Sequence, residues 1–298
     1  MSEAPAGPRS RAKALALVIG LTAVWGTNWV LFPLAVREVS VWTFRATCLL
    51  GSGALLLMIA RLRGLSLAVP RRQRLGLALA ALVYLVIWNV GSTYAAILIP
   101  SGQAAVLGFT MPLWATLVSW LVLGEKPSMS MILGVILASC GVACLAFAAR
   151  HTYAAAPLGF VLGLAAAIGW ASGTIILKRA RLTIAPIVSA GWQLLIAGVP
   201  ILAVALSSVS PDAVVPSWTS VIVIGYITIV PMAVGNIAWF SIADMMPATV
   251  SGLSTTMVPR VAMVTGALVR GEPLGFFEFA AMVLCGASLL LVLSRRPA

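Results

Sequence analysis

Residues 100–125 read PSGQAAVLGFTMPLWATLVSWLVLGE, and residues 247–272 read PATVSGLSTTMVPRVAMVTGALVRGE. Each stretch opens on a proline, carries another twelve positions on, and closes on Gly-Glu, so Pro100, Pro112, Gly124 and Glu125 recur as Pro247, Pro259, Gly271 and Glu272, displaced by 147. Asn89 and Asn236 keep that displacement. With small slips, Trp25 meets Trp170, Cys140-Gly141 meets Cys285-Gly286, and Arg45 meets Gln193. The chain is a duplication. Five apolar helix-sized segments per copy force the copies into opposite orientations in a bilayer, the build of secondary transporters with a substrate site near the midplane between the halves.

Composition leads to the same class. The chain is 61% hydrophobic and 9% charged, which leaves too little polar surface for a water-soluble fold. Roughly 20 apolar residues cross about 30 Å of hydrocarbon. Ten segments meet that length, expected at 14–36, 41–60, 75–97, 101–123, 128–148, 157–177, 185–206, 217–242, 247–269 and 275–294. The predicted fold is an all-α integral membrane protein of ten transmembrane helices. It comprises a tail at 1–13, a five-helix repeat at 14–148 and an inverted five-helix repeat at 157–294.

The net charge of +12 follows from topology. With the N-terminus inside, fourteen Lys and Arg fall in inner segments, while the outer loops hold only Arg37, Arg150 and Arg270. Positive residues collect on the cytoplasmic side, so both termini are expected there and no nucleic-acid partner is needed. The basic start followed by an apolar run has the outline of a signal peptide, but its length and the lack of a small-residue cleavage site read as a retained first helix. Cys48, Cys140, Cys144 and Cys285 lie within apolar spans, at spacings that suggest neither disulfides nor a metal site.

Gly124-Glu125-Lys126-Pro127 and Gly271-Glu272-Pro273 each close one helix and open the next. Gly suits a left-handed cap and Pro a first turn; a gating salt bridge is the alternative. Pro112 and Pro259 are expected inside the fourth and ninth helices, where a proline frees a carbonyl and kinks the helix, giving either a hinge or a static bend. Small residues around them, Gly102 and Ala105 in one copy and Ser251 and Gly252 in the other, would let these two helices pack closely.

Trp25-Gly26-Thr27-Asn28 in the first helix, Arg45 early in the second, Met111-Pro112-Leu113-Trp114 and the following Gly124-Glu125 resemble the EamA-type members of the drug/metabolite transporter superfamily. The similarity runs over residues 14–294. It implies ten helices, alternating access and export of small metabolites, with an aromatic amino acid exporter as the member it suggests. Arg260 departs from the pattern, since the position after the ninth-helix proline is usually small or apolar. Mid-membrane, an Arg costs several kcal/mol unless it meets water or a partner, so it should face the cavity or a carbonyl.

The sequence holds one histidine, His151, in an outer loop, and no Asp or Glu in the middle of any span. General acid–base or metal catalysis needs clustered titratable groups, so no catalytic residues, no metal and no bound cofactor are expected. The same lack disfavours a carboxylate proton relay and favours a facilitator or exchanger. Trp42 and Trp218 fit the interfacial belt, whereas Trp25, Trp88, Trp114 and Trp170 fall near mid-span. Trp25 and Trp170, as repeat partners, should approach the central axis. Tyr84 shares a helix face with Trp88, and Trp25, Asn28, Trp29 and Phe32 form another stripe. Such walls suit a stacking amphipathic substrate, or simple packing between helices. Asn89 and Asn236 should either bond a helix or line a cavity, because an unpartnered amide in hydrocarbon costs roughly 2–7 kcal/mol. Arg45 is placed to snorkel outward or to hold a substrate carboxylate, with Gln193 as its weaker counterpart.

The expected protein is a plasma-membrane exporter, in a bacterial inner membrane, of amino acids or related metabolites, aromatic amino acids first. Its partners are a small-molecule substrate and the lipid bilayer. The rival is a carrier of cationic drugs through cation–π contacts; a remoter one is an intramembrane lipid-modifying enzyme, which would need catalytic groups near one interface.

Overall fold

The computed structural model describes residues 8–124, 128–148, 150–208, 216–245 and 248–293. Glu125, Lys126, Pro127 and Pro247 lie outside them. The described residues form ten long helical stretches and no strand. They are α1 (Pro8–Ala35), α2 (Val41–Leu62), α3 (Arg71–Ala81, a π-turn at Leu82–Val86, then Ile87–Leu98), α4 (Ser101–Gly108 and Met111–Leu123) and α5 (Met129–Ala148). The second half supplies α6 (Pro157–Ala180), α7 (Pro186–Ser207), α8 (Trp218–Ile227, a π-turn at Thr228–Val234, then Gly235–Met245), α9 (Ala248–Arg270) and α10 (Phe276–Leu293). Among the described residues, eight helices are long and apolar enough to span a bilayer, and α10 adds a shorter apolar stretch, Phe276–Ser288.

The sequence explains where these helices start and stop. The Ser40 and Ser217 hydroxyls accept from the amides of Thr43 and Ser220, capping α2 and α8, and Pro157 and Pro186 occupy first turns of α6 and α7, where their missing N–H costs nothing. Gly124 and Gly271 take the left-handed conformation at φ 70° and 64°, which ends α4 and α9 as expected. Large apolar side chains such as Ile19, Leu121, Val199 and Leu268 remain more than half exposed around the bundle, as suits helices of a membrane-spanning fold.

Repeat partners pack on one another. In α2 and α7, Gly53 lies on the carbonyl of Gly191; in α5 and α10, Gly141 lies on the Cys285 sulfur. The first segment of α4 is buried along its whole length, and Gly102 there meets the backbone of Met263 on α9. Close approach of α4 and α9 follows the expectation from their small residues.

The expected kink at Pro112 is displaced. α4 breaks upstream at Phe109-Thr110, and Pro112 stands in the first turn of the second segment. Thr110 turns the chain there: its amide and its hydroxyl both donate to the Leu107 carbonyl, at 3.2 and 2.6 Å. Pro112 has no N–H for the carbonyl four residues back, so the helix ends before that bond is due and restarts with the proline where it is tolerated. Pro259, by contrast, sits inside an unbroken α9.

The π-turns of α3 and α8 occupy equivalent places in the two halves. In both, the asparagine just beyond the turn bonds its own helix: Asn89 Nδ2 donates to the Leu85 carbonyl and Asn236 Nδ2 to the Met232 carbonyl. Each amide nitrogen thus gives one of its two N–H groups to a helix that has lost a regular turn.

Candidate functional site

A column of rings runs through the bundle where α1, α3, α4 and α6 meet. It starts at the π-turn of α3, where Tyr84 lies edge-on to Trp170 of α6, centroids 4.4 Å apart. Trp170 meets Trp88 at 4.7 Å and Trp88 meets Trp29 at 6.0 Å in an edge contact. From Trp29 the column continues to Phe32 at 5.6 Å and to Phe109, at the break in α4, at 6.4 Å. Edge-to-face geometry at these separations is the favoured arrangement of aromatic quadrupoles. Trp29, Phe32 and Phe109 are buried, while Tyr84, Trp88 and Trp170 are half-buried. Where the column crosses α4, both indoles rest on Gly108, their ring atoms 3.1 and 3.2 Å from where a Cβ would stand.

The column ends on Arg45. Its guanidinium carbon lies 4.2 Å from the Phe32 centroid and 4.6 Å from the Phe44 centroid, and the residue is only 2% exposed. The snorkelling alternative is therefore overturned: four residues into α2, the side chain turns inward between two rings. Its Nε donates to the Thr93 hydroxyl, which in turn donates to the Asn89 carbonyl at 2.7 Å. No carboxylate lies beside it; the ion pair among the described residues is Arg270–Glu272, at 3.4 Å on the outer side.

Other expected residues divide around this column. Trp25 is not part of it and makes no ring contact with Trp170 among the described residues: it packs on Trp239 at 5.9 Å and donates from Nε1 to the carbonyl of Pro231, 3.0 Å away in the π-turn of α8. Duplication explains the placement. Trp170 sits on the π-turn of the opposite half at Tyr84, and Trp25 sits on the π-turn of the other half at Pro231, the position 147 residues after Tyr84. The partners occupy equivalent rather than shared sites. Asn28, beside the column, has a buried Oδ1 with no donor, and Gln193 likewise has a buried Oε1 without one while its Nε2 donates to Ser189. Trp114 hydrogen-bonds through Nε1 to the Thr110 hydroxyl at 3.1 Å, bracing the break in α4.

Arg260 faces a small cavity between α4, α9 and α10, lined by Val106, Phe109, Pro259 and Cys285. Nη1 donates to the Met257 sulfur at 3.2 Å and Nη2 crowds Gly286 of α10. Of the two expectations, a cavity or a carbonyl, Arg260 meets the first, with a weak sulfur acceptor beside it.

At the outer ends of the helices, two carboxylates cap backbone amides across the repeat boundary. Glu272 receives the amides of Ser101 and Gly102, at 2.9 and 3.0 Å, and the Ser101 hydroxyl at 2.7 Å. Glu38 receives the Ser217 amide and the Ser220 hydroxyl, at 2.7 and 2.8 Å, and these bonds hold its carboxyl below the usual range. Phe44, Thr93 and Phe109 were not singled out from sequence. Thr93 lies one helical turn beyond Asn89 and Phe109 three residues before Pro112, which are the signals that could have found them.

The ring column and the buried cation at its end, with no cluster of acids beside them among the described residues, make up the candidate site. The EamA-like transporter family model matches residues 12–147 and again 157–294. The uncharacterized transporter YvbV of Bacillus subtilis is 26% identical over 95% of this chain and 92% of its own length. The uncharacterized inner membrane transporter YedA of Escherichia coli is 27% identical over 92% of this chain and 89% of its own. A crystal structure 19% identical in sequence superposes with a TM-score of 0.66, covering 96% of this chain and all of that one, and shares the fold. Fold, repeated family match and full-length relatives agree, and this multi-pass membrane protein belongs to the EamA-like transporter family, within the drug/metabolite transporter superfamily.

Proposed function

We propose that this chain exports amino acids, aromatic ones foremost, or related small metabolites from the bacterial cytoplasm across the inner membrane, by alternating access and without a coupling carboxylate. The ring column carries the reading. Trp170 comes from the second half and the remaining rings from the first, so movement of one half against the other opens the column and exposes ring faces to a stacking solute. Catalysis is no part of the proposal, and neither is a cofactor. Pro259 and the break beside Pro112 are the proposed pivots. Asn28, with its unpaired oxygen, is proposed to meet a substrate N–H or O–H, and Trp114 to hold the pivot it braces.

The test is counterflow of radiolabelled tryptophan into proteoliposomes preloaded with amino acids, with and without a pH gradient. Uptake independent of the pH gradient and lost in Trp170→Ala supports the reading. Vesicles that exclude tryptophan yet pass a cationic dye or an aliphatic amino acid would overturn the aromatic specificity.

A further inference from the structure

Charge inside the bundle is one-sided. Among the described residues the acidic ones, Glu38, Asp244, Glu272 and Glu278, lie at or near helix ends. Arg45 is buried one turn into α2 and Arg260 stands midway along α9, and neither has a carboxylate partner among the described residues. Arg45 is the more constrained of the two. It offers five N–H donors, of which Nε alone is bonded, to Thr93. Two aromatic faces flank it and supply cation–π attraction but no hydrogen-bond acceptor. A buried guanidinium so poorly satisfied is costly for a structural role and well suited to bidentate capture of a carboxylate.

A zwitterionic amino acid needs more than this site holds. Its ammonium carries three donors and a full charge, so it calls for a carboxylate or several carbonyls at the opposite end from Arg45. The buried side-chain oxygens without a donor among the described residues are the neutral ones of Asn28, Ser92 and Gln193, and Pro112 leaves the Gly108 carbonyl without its helix donor; these suit an indole N–H or a phenolic O–H but supply no countercharge for an ammonium. Arg260, facing the cavity next to Phe109, adds positive rather than negative potential along the path.

We infer that the favoured substrate is an aromatic carboxylate without an amine, carried as a monoanion, its ring in the Trp29–Trp88–Trp170 column and its carboxylate on Arg45. The inference rests on the transporter reading above and places the favoured cargo among its related small metabolites, the amine-free analogues of the aromatic amino acids. It also supplies a driving force. A cell interior at negative potential expels an anion, favouring the outside roughly fifty-fold for each 100 mV. A uniporter for such anions accumulates product outside with no proton relay, in keeping with the lack of mid-span acids.

The experiment uses three indoles of the same ring and different charge: indole-3-propionate, tryptophan and tryptamine. Efflux of each is followed from proteoliposomes holding the full chain, against protein-free vesicles, with and without a potassium-diffusion potential, inside negative. The expected result is protein-dependent efflux of indole-3-propionate, at least tenfold faster than tryptophan, accelerated by the potential, lost in Arg45→Gln and partly kept in Arg45→Lys. Tryptophan moving while indole-3-propionate does not would overturn the inference and leave the amino acid reading standing. Preference for tryptamine would overturn it in favour of cationic cargo, and exclusion of all three would overturn both it and the aromatic reading. Should Arg45→Gln fail to fold, the selectivity of the unmodified protein among the three indoles still decides.

Discussion

Thr93 decides how well Arg45 is held. Its hydroxyl accepts from the guanidinium and donates to the Asn89 carbonyl, so Thr93→Val removes both bonds while keeping the shape. Leaving a buried charged donor unmet costs about 2 kcal/mol, and melting in detergent should fall accordingly, with Thr93→Ser restoring most of the loss. Glu38 provides a pH-dependent case at the surface. Its folded carboxyl titrates below the usual range because Ser217 and Ser220 donate to it. Its stabilising contribution is therefore full above the ordinary carboxylate range and lost as pH falls through the depressed folded value. Melting curves of the parent and of Glu38→Gln should converge in acid and separate toward neutrality. Sequence placed Arg45 near the outer end of its helix but not its direction, because rotamer choice depends on which rings neighbouring helices bring, and Phe32 comes from another helix.

At the scale of single helices, the break in α4 and the two π-turns position the column. Trp29 and Trp88 rest on Gly108 at the break, so Gly108→Ala forces a methyl into rings already 3.1 and 3.2 Å away. Overpacking there should cost about 1–3 kcal/mol and change tryptophan fluorescence together with counterflow. Gly235 has the same relation to Trp25, whose Nε1 would lie 2.6 Å from an added Cβ. Helix existence, order and capping glycines were legible because apolar length and Gly-Glu turns are local signals. The site of the break was not: Pro112 announces that α4 cannot run on undisturbed, but whether the chain bends at the proline or restarts before it depends on what covers Gly108. The π-turns left only their asparagines as a trace, and each was equally consistent with a cavity.

In the whole molecule, a carboxylate of one half caps a helix start of the other. Glu272 gathers three donors at the head of α4, a charge-assisted arrangement at the positive end of the helix dipole. Replacing it by glutamine turns one oxygen into a donor facing the Gly102 amide. Glu272→Gln should raise maleimide labelling of a cysteine introduced beside Phe109 on the order of tenfold, from the outer face, given the usual strength of such bonds. Unchanged labelling would mean that the helix packing of Gly102 on Met263, and not the carboxylate, holds that side shut. The duplication was read from fixed spacing, yet sequence symmetry led to one shared tryptophan pair on the axis, whereas Trp25 and Trp170 each stand on the π-turn of the opposite half.

The contrast between a broken α4 and a straight α9 has a consequence for evolution as well as for motion. Two copies of one ancestral segment have here taken different shapes, so each half is a template for what the other can become. Under the alternating access proposed above, the opposite state would straighten α4, break α9 and release Glu272 from the head of α4. Under that proposal, selection on either proline segment is selection on both end states, and a substitution that suits one shape alone would hold the molecule facing one way.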